Sequence, residues 1–162
     1  MAPPAEQKTV TVAAVIILDR SHRVLTVRKR GTQRFMQPGG KPEPGESAPQ
    51  TALREVAEEI GLTIAPYQLT DMGEFTAPAA NESDTTVVCR NFLVKYDDAA
   101  TDLLNQLQPA AEIAQLRWIP LAELAPAEDL APLLTDQVAP AVCRLLEGSE
   151  LSARECRQHG GD

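Results

Sequence analysis

The chain has 162 residues, 43% of them apolar and 23% charged, which is enough for a single domain with its own core. Its 23 acidic residues outnumber 15 basic ones, for a formal charge of −8, and this excludes a nonspecific coat on nucleic acid, which needs a basic surface. The longest uninterrupted apolar run, Val12–Leu18, falls well short of the about 20 residues that cross a bilayer, so no membrane partner is expected.

Residues 1–8 (MAPPAEQK) show no basic segment followed by an apolar one, so no signal peptide is expected. Their composition reads as a loose arm. The domain proper is expected over 9–148, followed by a polar tail over 149–162. Thr9–Leu18 is β-branched and apolar, the pattern of a buried strand. Asp19–His22 is a turn cluster, and Arg23–Val27 reads as the second strand of a hairpin. Gln37–Glu46 (QPGGKPEPGE) is read as loop. A helix follows, with Ser47 and Gln50 as a capping box and Gly61 as its terminating residue. Residues 69–75, 85–96 and 116–119 read as strands, and 135–147 as a second helix. Strands and helices in this order predict an α/β fold, a mixed sheet with a helix on each side in an α/β/α sandwich.

The cysteines, Cys89, Cys143 and Cys156, are odd in number and have no close pair. They read as reduced thiols of a cytoplasmic protein rather than as a disulfide or zinc framework. With only His22 and His159, a polyhistidine site is excluded. Metal chemistry would have to use oxygen ligands, which favours magnesium, manganese or calcium over zinc.

The informative segment is Gly39–Leu62, GGKPEPGESAPQTALREVAEEIGL. At about 100° per residue, Ala52, Leu53, Val56, Ala57 and Ile60 share one face of the helix. Glu55, Glu58 and Glu59 share the other, close enough to converge on one ion. Like charges at this spacing repel, and a divalent cation removes that penalty by taking the oxygens as hard ligands. Arg54 stands beside Glu55 to orient a carboxylate. Glu46 lies at the positive end of the helix dipole. The alternative is a solvated acidic face, but the Gly39–Gly40 loop leading into a capped acidic helix speaks against it.

The same residues resemble the Nudix box, G-x5-E-x7-R-E-U-x-E-E-x-G-U with U a bulky aliphatic. Gly40, Glu46, Arg54, Glu55, Val56, Glu58, Glu59, Gly61 and Leu62 fill every specified position. The strand pattern around the box, and QLRWIPLAEL further on, extend the resemblance from about Thr9 to Leu146.

The resemblance implies an α/β/α fold and Mg²⁺- or Mn²⁺-dependent hydrolysis of nucleoside diphosphates linked to another moiety. It makes Glu58 and Glu59 metal ligands, Glu55 a ligand or the base that activates water, and the Gly39 carbonyl part of the inner shell. Arg54 would hold Glu55. The family often adds a carboxylate from outside the box. Glu112, six residues before Trp118, is the expected fourth ligand or base, with Glu82 as its competitor. Of the basic residues before the box, Arg28 or Lys29 is expected to bind a substrate phosphate. Phe35 is expected either to stack on a base or to lie in the core. Asn81 and Glu82 are expected at a ribose or base edge, against the alternative of a plain turn. Trp118 reads as core, and Cys89 is given no role.

Substrate choice is less defined by these residues. A small single domain suits a nucleoside di- or triphosphate, as in clearance of a nucleotide pool. The ADP-ribose branch places a proline a short way beyond the box, where this chain has Thr76 and then Pro78. ADP-ribose and diadenosine polyphosphates stay as alternatives, as does a non-catalytic module that senses a nucleotide. The complete Arg54/Glu55/Glu58/Glu59 set speaks against the sensor. A small-molecule nucleotide is thus the expected partner. A homodimer, common in the family, stays open.

Overall fold

The computed structural model describes residues 7–147. The remainder of the expected arm and all of the expected tail, with Cys156 and His159, lie outside the described residues. Lys8, expected in the arm, already pairs with Thr85.

Six strands form one mixed sheet: β1 (Lys8–Leu18), β2 (Arg23–Lys29), β3 (Gly39–Gly40), β4 (Thr70–Pro78), β5 (Thr85–Lys95) and β6 (Ile113–Pro120). The order is β4-β5-β1-β2-β6, with β3 attached to β1. Among these strand pairs only β1 and β5 run parallel, in register from Lys8↔Thr85 to Leu18↔Lys95. β1 is central and covered on both sides from Ala13 onward, which explains its continuous apolar run. Its alternate residues feed two cores. Ala14, Ile16 and Leu18 belong to one cluster, and Ala13, Val15 and Ile17 to the other.

Each core is closed by helix. Helix α1 (Ala48–Ile60) lays Ala52, Val56 and Ile60 against the second cluster. A π-helical stretch, Leu133–Val138, leads into the helix Ala139–Leu146. Together they lay Leu134, Val138 and Val142 against the first. The result is the expected three-layer α/β/α sandwich. Among the described residues no helix is long and apolar enough to cross a membrane.

β1 and β2 pair where the hairpin turns, at Leu18↔Val24. Further along, the chain of 36–40 fills the space between them. Met36 bridges to Val27, while Gly39 and Gly40 pair with Ala14 and Ala13. The segment expected to be all loop therefore contains a short strand, which holds the two glycines against the central strand.

Three further expectations are corrected. Helix α1 is rolled so that its buried arc centres near Ala52. Thr51 and Glu59 are buried with Ala52, Val56 and Ile60, while Ala57 is exposed and Leu53 half-buried. A short helix, Thr101–Asn105, follows β5 where no element was expected, anchored by the single buried residue Leu104. The C-terminal helix begins earlier and starts in the wider π form. Pro140 sits inside this run and has no N–H to close an ordinary turn.

Candidate active site

Helix α1 starts on a complete capping box. Gln50 donates its backbone N–H to Ser47 Oγ at 3.3 Å, and Ser47 returns its own N–H to Gln50 Oε1 at 2.9 Å. Gly61, at φ 72°, ends the helix in the left-handed conformation, which glycine adopts without steric cost. The thirteen-residue helix is thereby fixed at both ends, and its acidic residues take definite positions.

Arg54 is the hub at its N-terminal half. It donates from Nε to Glu46 Oε2 at 2.7 Å and from Nη2 to Glu46 Oε1 at 2.9 Å, a bidentate pair. Nη2 also reaches the Lys41 carbonyl at 3.0 Å. Nη1 donates to Glu55 at 2.9 Å and to Glu58 at 3.3 Å. Glu46 accepts further bonds from the Glu43 backbone N–H and the Thr51 hydroxyl. The Arg54 guanidinium first, then those two donors, hold the Glu46 carboxyl down at about 2. Arg54 is held more firmly protonated than usual by the same pair. A permanently charged fork therefore fixes the rotamer of Glu55.

One carboxylate oxygen each from Glu55, Glu59 and Glu112 lies within 4.8 Å of the others. Glu59 is fully buried. Its Oε1 accepts a long bond from the Gly39 N–H at 3.4 Å, and its Oε2 is buried without a hydrogen-bond partner. Burial pushes its carboxyl up to about 8, aided by the charges of Glu112 and Glu55 and opposed by Lys29 and the Gly39 N–H. Glu112 arrives on a loop tied at two points. Ala110 donates its N–H to the Glu59 carbonyl, and the Glu112 carbonyl accepts from Arg30 N–H, each at 2.8 Å. Between them Ala111 takes φ 53°, a conformation that costs a non-glycine residue energy.

The two glycines are demanded by close approach. A Cβ on Gly40 would stand 2.4 Å from Glu55 Cδ, and one on Gly39 would stand 2.3 Å from the Ala13 carbonyl oxygen. Three converging carboxylates with an orphaned buried oxygen make a hard, anionic donor set. That chemistry fits Mg²⁺ or Mn²⁺.

The cluster borders a cavity of about 490 Å³. Glu55, Glu112, Gly39, Gly40, Lys29 and Lys41 form its charged wall. An aliphatic wall comes from β1, β5 and the C-terminal helical run, with Val10, Val12, Val87 and Leu133. Asn81 and Glu82, from the β4–β5 loop, also line it.

Comparison with known proteins decides the family, since the model of the NUDIX domain matches residues 7–140. The chain belongs to the Nudix family. It is 42% identical over 53 residues to a Bacillus subtilis protein described as a putative 8-oxo-dGTP diphosphatase, a match spanning 33% of this chain and 36% of the relative. It is 38% identical over 65 residues to the Escherichia coli dihydroneopterin triphosphate diphosphatase, spanning 40% and 43%. These matches thus span less than half the length of either relative. A MutT/nudix family protein from Enterococcus faecalis shares the fold with a TM-score of 0.68 at 18% identity, covering 96% of this chain and 70% of that one.

Against this Nudix framework the expected site residues separate. Glu55, Glu59, Glu112, Gly39 and Gly40 come together, with Arg54 and Glu46 behind them. Glu58 stands apart from the trio, with its side chain 52% exposed beside Arg54. Lys29, Asn81 and Glu82 reach the cavity wall. Arg28 is not part of that wall; it donates to the carbonyl of Thr32, which is. Phe35 is buried, with the Arg117 guanidinium 4.2 Å from its ring centre. Of its two expected places, the structure gives Phe35 the core. Trp118, expected in the core, packs half-buried against the cluster under α1, with Arg23 over its ring at 5.5 Å.

The sequence reading missed Lys41 and Gln37 in the wall. Lys41 lies inside the Nudix box at an unspecified position. Gln37 has no periodic signal, though its partner Asn91 was visible as a lone amide in an apolar strand.

Proposed function

We propose that this Nudix protein hydrolyses a pyrophosphate bond in a nucleoside di- or triphosphate, with Mg²⁺ or Mn²⁺. The observation that carries the reading is the convergence of Glu55, Glu59 and Glu112 beside a cavity large enough for a small nucleotide. The names of the 8-oxo-dGTP and dihydroneopterin triphosphate relatives point to the same class of substrate.

The residues divide the work. Glu55, Glu59 and Glu112 would hold the ion, with the Gly39 carbonyl and the half-exposed Glu58 as further ligands. When bound, the ion neutralises phosphate oxygens and acidifies water for attack. Lys29 and Lys41 would offset the remaining phosphate charge. Arg54, anchored by Glu46, keeps the Glu55 carboxylate aimed at the cluster, and Glu55 or Glu112 takes the proton of the attacking water. The aliphatic wall would receive the base, and Asn81 and Glu82 line the cavity from the exposed β4–β5 loop.

The test is a phosphate-release screen with Mg²⁺ and with Mn²⁺. Its panel holds ordinary and oxidised nucleoside triphosphates, nucleoside diphosphates, ADP-ribose and diadenosine polyphosphates. Turnover of one di- or triphosphate well above the rest, lost in Glu59→Gln, supports the reading. Preference for ADP-ribose or a diadenosine polyphosphate transfers it to those substrates. Binding without turnover makes the chain a sensor.

A further inference from the structure

We propose that Gln37 is a specificity-determining residue, accepting a hydrogen bond from a ring or exocyclic N–H of the substrate's heterocyclic base. This rests on the nucleotide reading above and assigns the part of the substrate that the inner wall recognises.

Gln37 and Asn91 are both buried, with 5% and 0% exposure, and form a relay. Gln37 Nε2 donates to Asn91 Oδ1 at 2.9 Å, and Asn91 Nδ2 donates to the Cys89 carbonyl at 3.3 Å. A carbonyl only accepts, so the Cys89 oxygen fixes the direction of both amides. Asn91 must turn its nitrogen to Cys89 and its oxygen to Gln37. Gln37 must then present its nitrogen to Asn91, which leaves Oε1 outside the relay. That oxygen is buried and has no partner. Buried acceptors are nearly always paired, and an orphan calls for a ligand, a water or a role.

Oε1 is closed off from the cavity, so a base reaches it once the Gln37 side chain, part of the cavity wall, shifts toward the ligand. Gln37 and Cys89 both belong to the cavity wall. Around them the wall is aliphatic, with Val10, Val12, Val87, Met36 and Leu133. Of the other polar side chains that line the cavity outside its charged wall, the hydroxyls of Thr85 and Thr32 already donate to the Ser83 and Lys29 carbonyls. Asn81 and Glu82 are exposed on the β4–β5 loop, which leaves Gln37 as the buried one with an unpaired oxygen. No aromatic side chain lines the cavity among the described residues. A planar base would be held there by aliphatic contact, which is nearly indifferent to its identity. Discrimination then falls on the polar group that has a valence to offer. An acceptor favours a base presenting N–H and disfavours one presenting a lone pair or nothing. Asn91 is the positioning residue, because it prevents the Gln37 amide from flipping.

The experiment uses pairs of nucleoside triphosphates in which one member carries an N–H group that the other lacks: the 2-amino group of guanosine against inosine, the 6-amino group of adenosine against purine riboside, and the N7–H that accompanies the C8 carbonyl of 8-oxoguanosine against guanosine. Sites built to bond a substrate N–H reject the analogue lacking it by large factors, so at least one pair should differ by about tenfold or more in kcat/KM, in favour of the N–H. The ratio should fall to within about threefold in Gln37→Leu and in Gln37→Met, whose apolar side chains have no acceptor. Asn91→Leu should lower it in part, through KM rather than kcat. Melting curves identify any variant that fails to fold, and the unbranched Met variant stands in if Leu is not tolerated. Turnover by the wild type with no split pair overturns the proposal, as does a split that survives both Gln37 variants. Calorimetric titration of non-hydrolysable analogues of the same pairs, with Mg²⁺ present, separates the two readings. A binding ratio without turnover keeps Gln37 and removes hydrolysis, whereas no binding by any pair removes the proposal about Gln37.

Discussion

Glu59 is the residue where function and stability pull in opposite directions. Its carboxyl lies at about 8 in the folded chain against an ordinary 4.5, so the folded state holds a proton that the unfolded state releases above 4.5. Stability must then fall as pH rises from about 5 to about 8, by an amount of the order of a few kcal/mol. In EDTA the wild type should lose melting temperature across that window. Glu59→Gln, neutral at every pH, should flatten the loss and melt higher than the wild type at pH 8. An equal slope in both proteins would show that Glu59 ionises without penalty. The variant should at the same time be inactive, because the amide supplies neither the charge nor the second lone-pair set of a carboxylate ligand. Such a trade, stability given up for a charged site, is common where a site must be strained to work.

At the scale of the element, α1 and the Gly39–Gly40 strand form a single device. The capping box and Gly61 set the helix ends, β3 sets the distance to β1, and Arg54 sets the rotamer of Glu55. Two substitutions separate these contributions. Gly40→Ala places a methyl against the Glu55 carboxyl, which is a movable group. It should cost activity far more than stability, by about 10²-fold in kcat for a displaced catalytic group. Gly39→Ala places the methyl against backbone and should lower the melting temperature as well. Comparable melting temperatures for the two variants would contradict this. Arg54→Lys cannot reproduce the fork to Glu46 and Glu55, and an orienting partner of this kind is worth about 10–100-fold in activity.

Much of this device was legible in advance, since capping residues, box spacing and acidic residues are all local in sequence. The roll of α1 was not. Periodicity placed Glu59 with Glu55 and Glu58 on the acidic face, and the sheet, by packing nearest Ala52, buries it instead. Glu112 was reached only through its spacing to Trp118, because the backbone bonds to Arg30 and Glu59 that bring it in are tertiary. Phe35 and Arg28 show the same limit, since an aromatic and a cation before the box fit a binding site or a core equally well. The structure resolves Phe35 by the place of Asp129, Leu130 and Ala131, to which its backbone is bonded, and Arg28 by its bonds to Thr32 and Gln115.

For the whole molecule the governing fact is charge. On the proposed function, a chain of net charge −8 accepts a polyanionic substrate beside three of its own carboxylates, with Lys29 and Lys41 as the lysines of the cavity wall. Cation binding is the simplest way to reverse that local sign. It should also be visible without any substrate. A ligand that binds only the folded state stabilises it by RT ln(1 + [L]/Kd), about 2.7 kcal/mol at a hundredfold excess over Kd. For a domain of this size each kcal/mol moves the melting temperature by roughly 2–4 °C. Titration with Mg²⁺ or Mn²⁺ at pH 8 should therefore raise the melting temperature of the wild type by several degrees. Glu59→Gln, although the more stable protein in EDTA, should show little of that rise. The two melting curves would then converge or cross as the cation is added. EDTA should abolish turnover, and either cation should restore it. A rise of equal size in the variant would place the bound ion elsewhere on the acidic surface and separate the trio from the chemistry assigned to it.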